Sequence, residues 1–241
     1  MGLHAILQVV FPHRCVGCGH TVAEPSGFCG PCWREAEFIT GATCTGCGAP
    51  LPGEETDPAA LRCDDCLTRP RPWHAGVAAL VYAGTGRRLV LALKHGDRPD
   101  LAPALAGWLS RAAAPLIRPG MVVAPVPLHL RRLMKRRYNQ AGLMSAPLAR
   151  SRGLDHLPDL LLRNRHTEGQ DHRGVSDRFA NIAGAITVNR RRAARIEGRA
   201  VLLVDDVMTS GATLAAAAEA LLAAGSGPVS VAVLARAVKD D

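Results

Sequence analysis

All eight cysteines of this 241-residue chain lie before residue 67, in four C-x-x-C knuckles: Cys15/Cys18, Cys29/Cys32, Cys44/Cys47 and Cys63/Cys66. Two thiolates at that spacing on a tight turn point at one tetrahedral ion, and two knuckles complete a closed four-cysteine site, so the count predicts two structural zincs. Gly19 and Gly48, each directly after the second Cys of a knuckle, suit the sharp turn whose N–H groups face the sulfurs. Ten residues separate the first pair of knuckles and fifteen the last pair. Sequential pairing is expected, because nested or interleaved pairing needs longer loop closure. Disulfides would need an oxidising compartment, and no convincing signal peptide opens the chain, so a cytoplasmic protein is expected. A thioredoxin-like motif would be a single C-x-x-C beside a βαβ unit. The four-cysteine spacing alone does not choose zinc over an iron–sulfur cluster. His13 and His20 flank knuckles that already hold a full set of Cys and read as bystanders.

The knuckles confine the cysteine-rich module to residues 1–72, too short to bury much of a core without metal, and leave residues 73–241 as a second domain. Between them Thr68-Arg-Pro-Arg-Pro-Trp73 reads as a stiff, extended boundary. Charge divides at the same point: residues 1–72 carry five Arg and eight acids, net −3, and residues 73–241 carry 24 basic and 13 acidic side chains, net +11. Each Zn²⁺ with four thiolates adds a further negative charge, so the first module suits protein contact or bracing, and the second suits an anionic partner. No run of about 18 apolar residues is present, so no membrane span is expected. The apolar stretch Gly2–Phe11 reads as a short helix packed on the ribbon or on a partner.

The second domain carries its own signature from Val201 to Leu214, VLLVDDVMTSGATL. Four apolar residues read as a buried parallel strand, and the Gly-containing loop after it runs into an Ala-rich helix. Asp205 and Asp206 are acceptor-only groups suited to sugar hydroxyls or to the waters around Mg²⁺. Thr209, Ser210, Gly211, Ala212 and Thr213 offer hydroxyls and closely spaced N–H groups at a helix N-terminus, a cradle for phosphate. An ordinary helix cap needs one polar residue, and this loop has five. The pattern of four apolar residues, two acids, an apolar pair and T-T/S-G-x-T resembles the phosphoribosyl-pyrophosphate (PRPP) loop of the type I phosphoribosyltransferases.

Around that loop, short apolar runs alternate with helical stretches. Strands are expected at Gly76–Tyr82, Val122–Val126, Leu160–Leu162, Ala185–Val188, Val201–Val204 and Val229–Leu234. Helices are expected at Arg87–Lys94, Leu101–Ile117, Asn139–Ser151 and Ala212–Ala224. The alternation predicts an α/β domain with a doubly wound, mainly parallel sheet flanked by helices.

Two basic segments belong to the same domain. From Ala124 a strand end leads into a loop holding Arg131, Arg132, Lys135, Arg136 and Arg137 and then a helix; these cations suit pyrophosphate or a single-stranded DNA backbone. A polar segment follows with Arg163, Arg165, Thr167, Gln170 and Arg173, then Arg178 and Asn181. It resembles the mobile loop that closes over substrate in the same enzymes. Arg190, Arg191, Arg192, Arg195 and Arg199 read as solvated surface, and Lys94 and His95 as ordinary residues at a helix end. Aromatic residues make up 4% of the chain, and none lies near the PRPP loop in sequence.

The four knuckles, the PRPP loop, Y-x-G from Tyr82, L-K-H-G-D from Leu93, R-x-Y-N-Q from Arg136 and R-x-R-x-T-x-x-Q from Arg163 together resemble the ComF family over nearly the whole chain. That family usually has R-G-F-N-Q, where this chain has Arg137 and Tyr138. The resemblance implies a double zinc-ribbon module ahead of a type I phosphoribosyltransferase fold, and a role in natural competence or the handling of imported single-stranded DNA. It implies Mg²⁺-PRPP or a related ribose 5-phosphate as ligand, with Asp205 and Asp206 as the catalytic pair and an unknown acceptor. Two other readings stay open: a PRPP or nucleotide sensor without turnover, and a protein that binds single-stranded DNA and DNA-uptake partners without using PRPP.

Overall fold

The computed structural model describes residues 12–24, 27–53, 61–165 and 175–238. Its centre is one five-stranded, all-parallel sheet built from β1 (Ala75–Val81), β2 (Val122–Pro125), β3 (Asp155–His156), β6 (Val201–Met208) and β7 (Val229–Arg236), in the order β1-β7-β6-β2-β3. The remaining two strands, β4 (Leu161–Arg163) and β5 (Ile186–Val188), pair with each other antiparallel. β7 is buried at all eight positions, and the first four residues of β6 are buried as well. Both faces of the sheet are covered, which is why these strands read as continuous apolar runs.

Alternation divides the strands between two cores. Val122, Val201, Leu203, Val229, Val231 and Val233 face one side, and Val123, Leu202, Val204, Ala232 and Leu234 face the other. The second side is covered by helices α3 (Gly84–His95), α4 (Ala102–Ala112) and α6 (Gln140–Ser151), through Leu89, Leu93, Leu105, Leu109, Met144 and Leu148. The first side is covered by α8 (Ala212–Ala223) and by the β4/β5 pair. Each fully buried Leu contributes about 2 kcal/mol of apolar transfer free energy, so two such layers dominate the domain's stability.

The cysteine module carries helices α1 (Gly30–Glu35) and α2 (Asp64–Thr68). Its halves seat on different parts of the sheet domain. Around the first four cysteines, Phe28 and Phe38 pack against Trp108 of α4, with ring centroids 4.8 and 5.3 Å apart, and Glu35 holds Arg88 of α3. Residues 37–39 add an antiparallel bridge to the free edge of β1, with Ile39 N–H donating to the Ala79 carbonyl at 3.0 Å and Val81 N–H to Glu37 at 2.9 Å. The second half lies on the other end of β1: Gly76 N–H donates to Thr45 at 2.8 Å, and Cys44, Cys47 and Cys66 share a hydrophobic core with Val231 and Val233.

Several sequence expectations change. The segments expected as strands at Leu160–Leu162 and Ala185–Val188 do not join the parallel sheet. Leu161 is buried while Leu162 is exposed, a one-sided pattern that suits a hairpin-like pair and not a strand covered on both faces. The expected helix over Leu101–Ile117 ends at Ala112 and continues as a 3₁₀ turn over Ala114–Leu116, because Pro115 has no N–H to extend the ladder. The basic segment expected as a loop is helix α5 (Leu130–Arg136), and α7 (Val175–Ile182) and β3 have no counterpart among the expected elements. The Gly2–Phe11 stretch lies outside the described residues. Among the described residues no helix is long and apolar enough to cross a membrane.

The seat on β1 is close enough to need glycine on both sides, at Gly76 of the strand and Gly48 of the knuckle. Gly48 sits at φ +69°, and a Cβ there would fall 2.4 Å from the Ala78 backbone nitrogen. Gly48→Ala is expected to cost at least about 2 kcal/mol, by left-handed strain and overpacking together. Denaturant unfolding of the zinc-loaded chain checks this; an unchanged midpoint would refute the close seat.

Candidate functional site

β6 runs four residues past its apolar half, so Asp205 and Asp206 emerge at the carboxyl end of the sheet while still paired to β7. This is the edge where open α/β sheets bind ligands. They open on a cavity of about 860 Å³ also lined by Thr209 and Thr213, with Lys94 and His95 from α3, Arg132 and Arg136 from α5, Arg163 from β4 and Arg178 from α7. The site gathers an acidic pair, a hydroxyl-bearing loop and several cations around one cavity.

The two carboxylates are held differently. Asp206 is buried, and its Oδ1 lies 3.0 Å from Lys94 Nζ. Asp205 accepts the Asp206 N–H through Oδ1 at 2.8 Å. Burial and the adjacent Asp206 carboxylate push Asp205 up to about 7, against the opposing pulls of that hydrogen bond and of the Lys94 and Arg163 charges. Arg163 is drawn below the ordinary arginine value by burial and by Arg132, with Asp205 opposing. Like charges are crowded on both sides of the site, Asp205 beside Asp206 and Arg163 beside Arg132, and each crowding opposes ionisation.

The loop between β6 and α8 turns at Gly211, which has φ +80°. A Cβ there would meet Arg71 Nη1 at 3.0 Å and Trp73 at 3.2 Å, so glycine is required on two counts. The carbonyls of the loop are occupied on one side. Arg236 Nη1 donates to Met208 at 3.2 Å and to Thr209 at 2.9 Å, and Arg71 Nη1 donates to Ser210 at 2.7 Å. Every peptide described is trans, so the N–H groups of Thr209, Ser210 and Gly211 point away from those arginines.

Of the five cations named from the basic segment, Arg132, Arg136 and Arg137 line the cavity, Arg131 does not, and the side chain of Lys135 lies outside the described residues. Arg137 caps α5 at φ +66°, a left-handed conformation that glycine takes without penalty, and its side chain reaches Asp97 at 3.6 Å. In the second segment Arg163 lines the cavity, whereas Arg165 donates to the carbonyls of Asn181 and Ala183 and is turned to α7. Thr167, Gln170 and Arg173 lie outside the described residues. Lys94, read from sequence as a helix end, is the partner of Asp206, and only its place in L-K-H-G-D hinted at this. Both tyrosines of the chain, Tyr82 and Tyr138, line the same cavity, and Trp73 lies against Gly211. Aromatic groups far away in sequence are thus brought to the loop by the fold.

The cysteines gather as two sets of four, Cys15/Cys18/Cys29/Cys32 and Cys44/Cys47/Cys63/Cys66, with all sulfurs of a set within 4.8 Å of one another. The Cys18–Cys29 and Cys47–Cys63 sulfurs are 3.5 and 3.6 Å apart, too far for a disulfide and near the edge of about 3.8 Å of a tetrahedron with Zn–S of about 2.3 Å. Cys29 N–H donates to the Cys15 sulfur at 3.2 Å and Arg71 Nε to the Cys66 sulfur at 3.4 Å, the outer donors a zinc–tetrathiolate centre requires. These are two four-cysteine zinc-binding sites, joined in sequential pairs. His20 approaches the Cys18 sulfur at 3.1 Å and adds to that outer shell.

Comparison with known proteins agrees with both halves. The family model for the double zinc ribbon domain matches residues 6–67, and that for the phosphoribosyl transferase domain matches residues 161–240. The DNA utilization protein YhgH of Escherichia coli K12 is 32% identical over 216 residues, covering 87% of this chain and 90% of that protein. Competence protein F of Haemophilus influenzae is 29% identical over 233 residues, covering 94% and 98%. A solved structure described as the allosteric regulatory enzyme of purine biosynthesis is 19% identical with a TM-score of 0.38. It aligns over 60% of this chain and 30% of its own length, and so distant a likeness adds nothing to the topology above.

The raised Asp205 makes stability depend on pH with a definite sign. A carboxyl that titrates near 7 when folded and near the ordinary aspartate value when unfolded stabilises the fold while protonated, and that contribution is lost as pH rises through 7. Asp205→Asn keeps the Oδ1 acceptor and removes the charge. Its melting temperature, measured without ligand, is expected to match the parent near about pH 4 and to exceed it increasingly between about pH 5 and pH 8; parallel curves would show that Asp205 is not held back from ionising.

Proposed function

Because the chain belongs to the ComF family, we propose that it binds Mg²⁺-PRPP, or a related ribose 5-phosphate, at the loop after β6 and serves the utilization of imported DNA in the cytoplasm. The observation that carries the reading is the joint placement of Asp205, Asp206, Thr209 and Thr213 on one wall of a cavity whose other wall is Arg132, Arg136, Arg163 and Arg178. A 5-phosphate fits the N–H groups and hydroxyls at the start of α8. The ribose hydroxyls fit the two carboxylates, and the pyrophosphate fits the arginines. Asp205 and Asp206 are also the residues that would meet a Mg²⁺ carried in with PRPP, whose charge offsets that of the phosphates.

Lys94 has a positioning role in this scheme. By holding Asp206 at 3.0 Å it fixes where that carboxylate points, and Asp205, pushed up by burial and by Asp206, lies beside it. If pyrophosphate leaves, the bond from C1 of the ribose to the pyrophosphate oxygen breaks and positive charge develops on the ring. The two acids stabilise that charge, and a nucleophile then takes C1. The reducing compartment expected from eight metal-binding thiolates accords with the cytoplasm.

Calorimetric titration of Mg²⁺-PRPP into the zinc-loaded chain is the test. Saturable binding is expected, weakened at least about 100-fold in the Asp205→Asn/Asp206→Asn double variant with both zincs retained. Binding that survives the double substitution would sink the reading. Pyrophosphate release with an acceptor separates a transferase from a sensor.

One observation favours a second reading, a track for single-stranded DNA. α5 exposes Leu130 and Met134, 63% and 67% accessible, beside Arg131 and Arg132, which combines apolar contact with cations on one helix, of which Arg132 also lines the cavity. On this reading the affinity for an oligonucleotide falls with salt, and neutralising Arg131, Arg132 and Arg137 lowers the slope of log K against log salt by about 2. An unchanged slope would remove α5 from any DNA path.

A further inference from the structure

The second zinc ribbon is joined to the phosphate loop by polar contacts that neither the metal site nor the loop requires by itself. Arg71 follows α2 in the segment that reads as a linker in the sequence. Its guanidinium spans both sites: Nε donates to the Cys66 sulfur at 3.4 Å, and Nη1 donates to the Ser210 carbonyl at 2.7 Å. It lies over the Trp73 ring, 5.6 Å from the centroid. Trp73 is buried, and its Nε1 is fixed to the Gly46 carbonyl of the knuckle at 2.6 Å. Arg236, itself buried, repeats the arrangement from β7. It donates to the carbonyls of Met208, Thr209 and Ala237, and its Nη2 lies 3.7 Å from Asp65, the residue before Cys66.

Two guanidiniums anchored at Asp65 and Cys66 therefore hold three consecutive loop carbonyls, Met208 to Ser210. In trans peptides this fixes the next three N–H groups on the opposite side. A zinc bound by four thiolates carries net negative charge, so metal binding would strengthen the Arg71 N–H to the Cys66 sulfur into a charge-assisted bond.

We propose that Arg71 is a positioning residue that tethers the phosphate-binding loop to the second zinc site, so that an intact second ribbon is a condition for the loop's ligand-ready shape. The first ribbon, which seats on α3 and α4, has no such part. This rests on the reading of the loop as a ribose 5-phosphate cradle only for its ligand arm.

Arg71→Ala and Arg71→Lys in the full, zinc-loaded chain test it, with Arg98→Ala as a surface control. Three quantities are read: zinc per chain, amide hydrogen exchange over residues 209–214, and calorimetric binding of ribose 5-phosphate. Expected for Arg71→Ala are two zincs retained, loop exchange accelerated at least about tenfold, and ribose 5-phosphate bound about tenfold or more weakly. Arg71→Lys recovers part of this, because one ammonium reaches the Ser210 carbonyl but lacks the fork that spans to the sulfur. Parent-like loop exchange in Arg71→Ala would overturn the tether. Loss of zinc from that variant would overturn it too, by making Arg71 part of the metal site alone. A parent chain that binds no ribose 5-phosphate, while its loop exchange still responds to Arg71, would refute the phosphate reading and uphold the tether.

Discussion

Burial of β6 on both faces is the constraint from which the rest of the site follows. The strand lies between β7 and β2, with α8 on one side and α3 and α6 on the other, and it admits no charge along Val201–Val204. Charge can appear only where cover ends, at the carboxyl edge, and there two carboxylates appear in succession. Their burial is incomplete and shared with cations: Lys94 takes Asp206, while Asp205 lies between Lys94 and Arg163 and is pushed towards neutrality at about 7. A parallel sheet thus converts a run of apolar residues into a point in space where charged side chains from five elements meet.

The ribbons complete this arrangement rather than append to it. A module of net −3 before its thiolates are counted meets a domain of net +11, and arginines make the polar side-chain contacts between them: Arg88 to Glu35 at the first ribbon, Arg71 to the Ser210 carbonyl and Arg236 to Asp65 at the second. Arg236 is 3% exposed, and a cation that deep is tolerable only because backbone carbonyls and a carboxylate surround it. Two of those carbonyls, Met208 and Thr209, lie where β6 passes into the loop before α8, so the groups that compensate the buried charge also hold the loop.

The sequence determined what local chemistry can decide. Two closed four-cysteine sites follow from the knuckle spacing, the strand–loop–helix from VLLVDDVMTSGATL, and the parallel α/β class from the alternation of runs. These depend on residues within reach of one another along the chain. β4 and β5 were legible as strands, but not their separation from the main sheet; β3, with two residues, and α5, which has no apolar stripe because its Leu130 and Met134 face outward, were not legible as a strand and a helix.

Only the tertiary structure decided which distant groups become neighbours. It paired Lys94 with Asp206 across more than a hundred residues, brought Tyr82 and Tyr138 into the cavity that Thr209 and Thr213 also line, and separated Arg165 from Arg163. It also turned a proline-bearing linker into the link between a metal-binding site and the loop after β6, through Arg71. Spacing along a chain fixes the identity of a motif. The direction of a guanidinium is fixed by the surfaces that close around it, and those exist only once the sheet has formed.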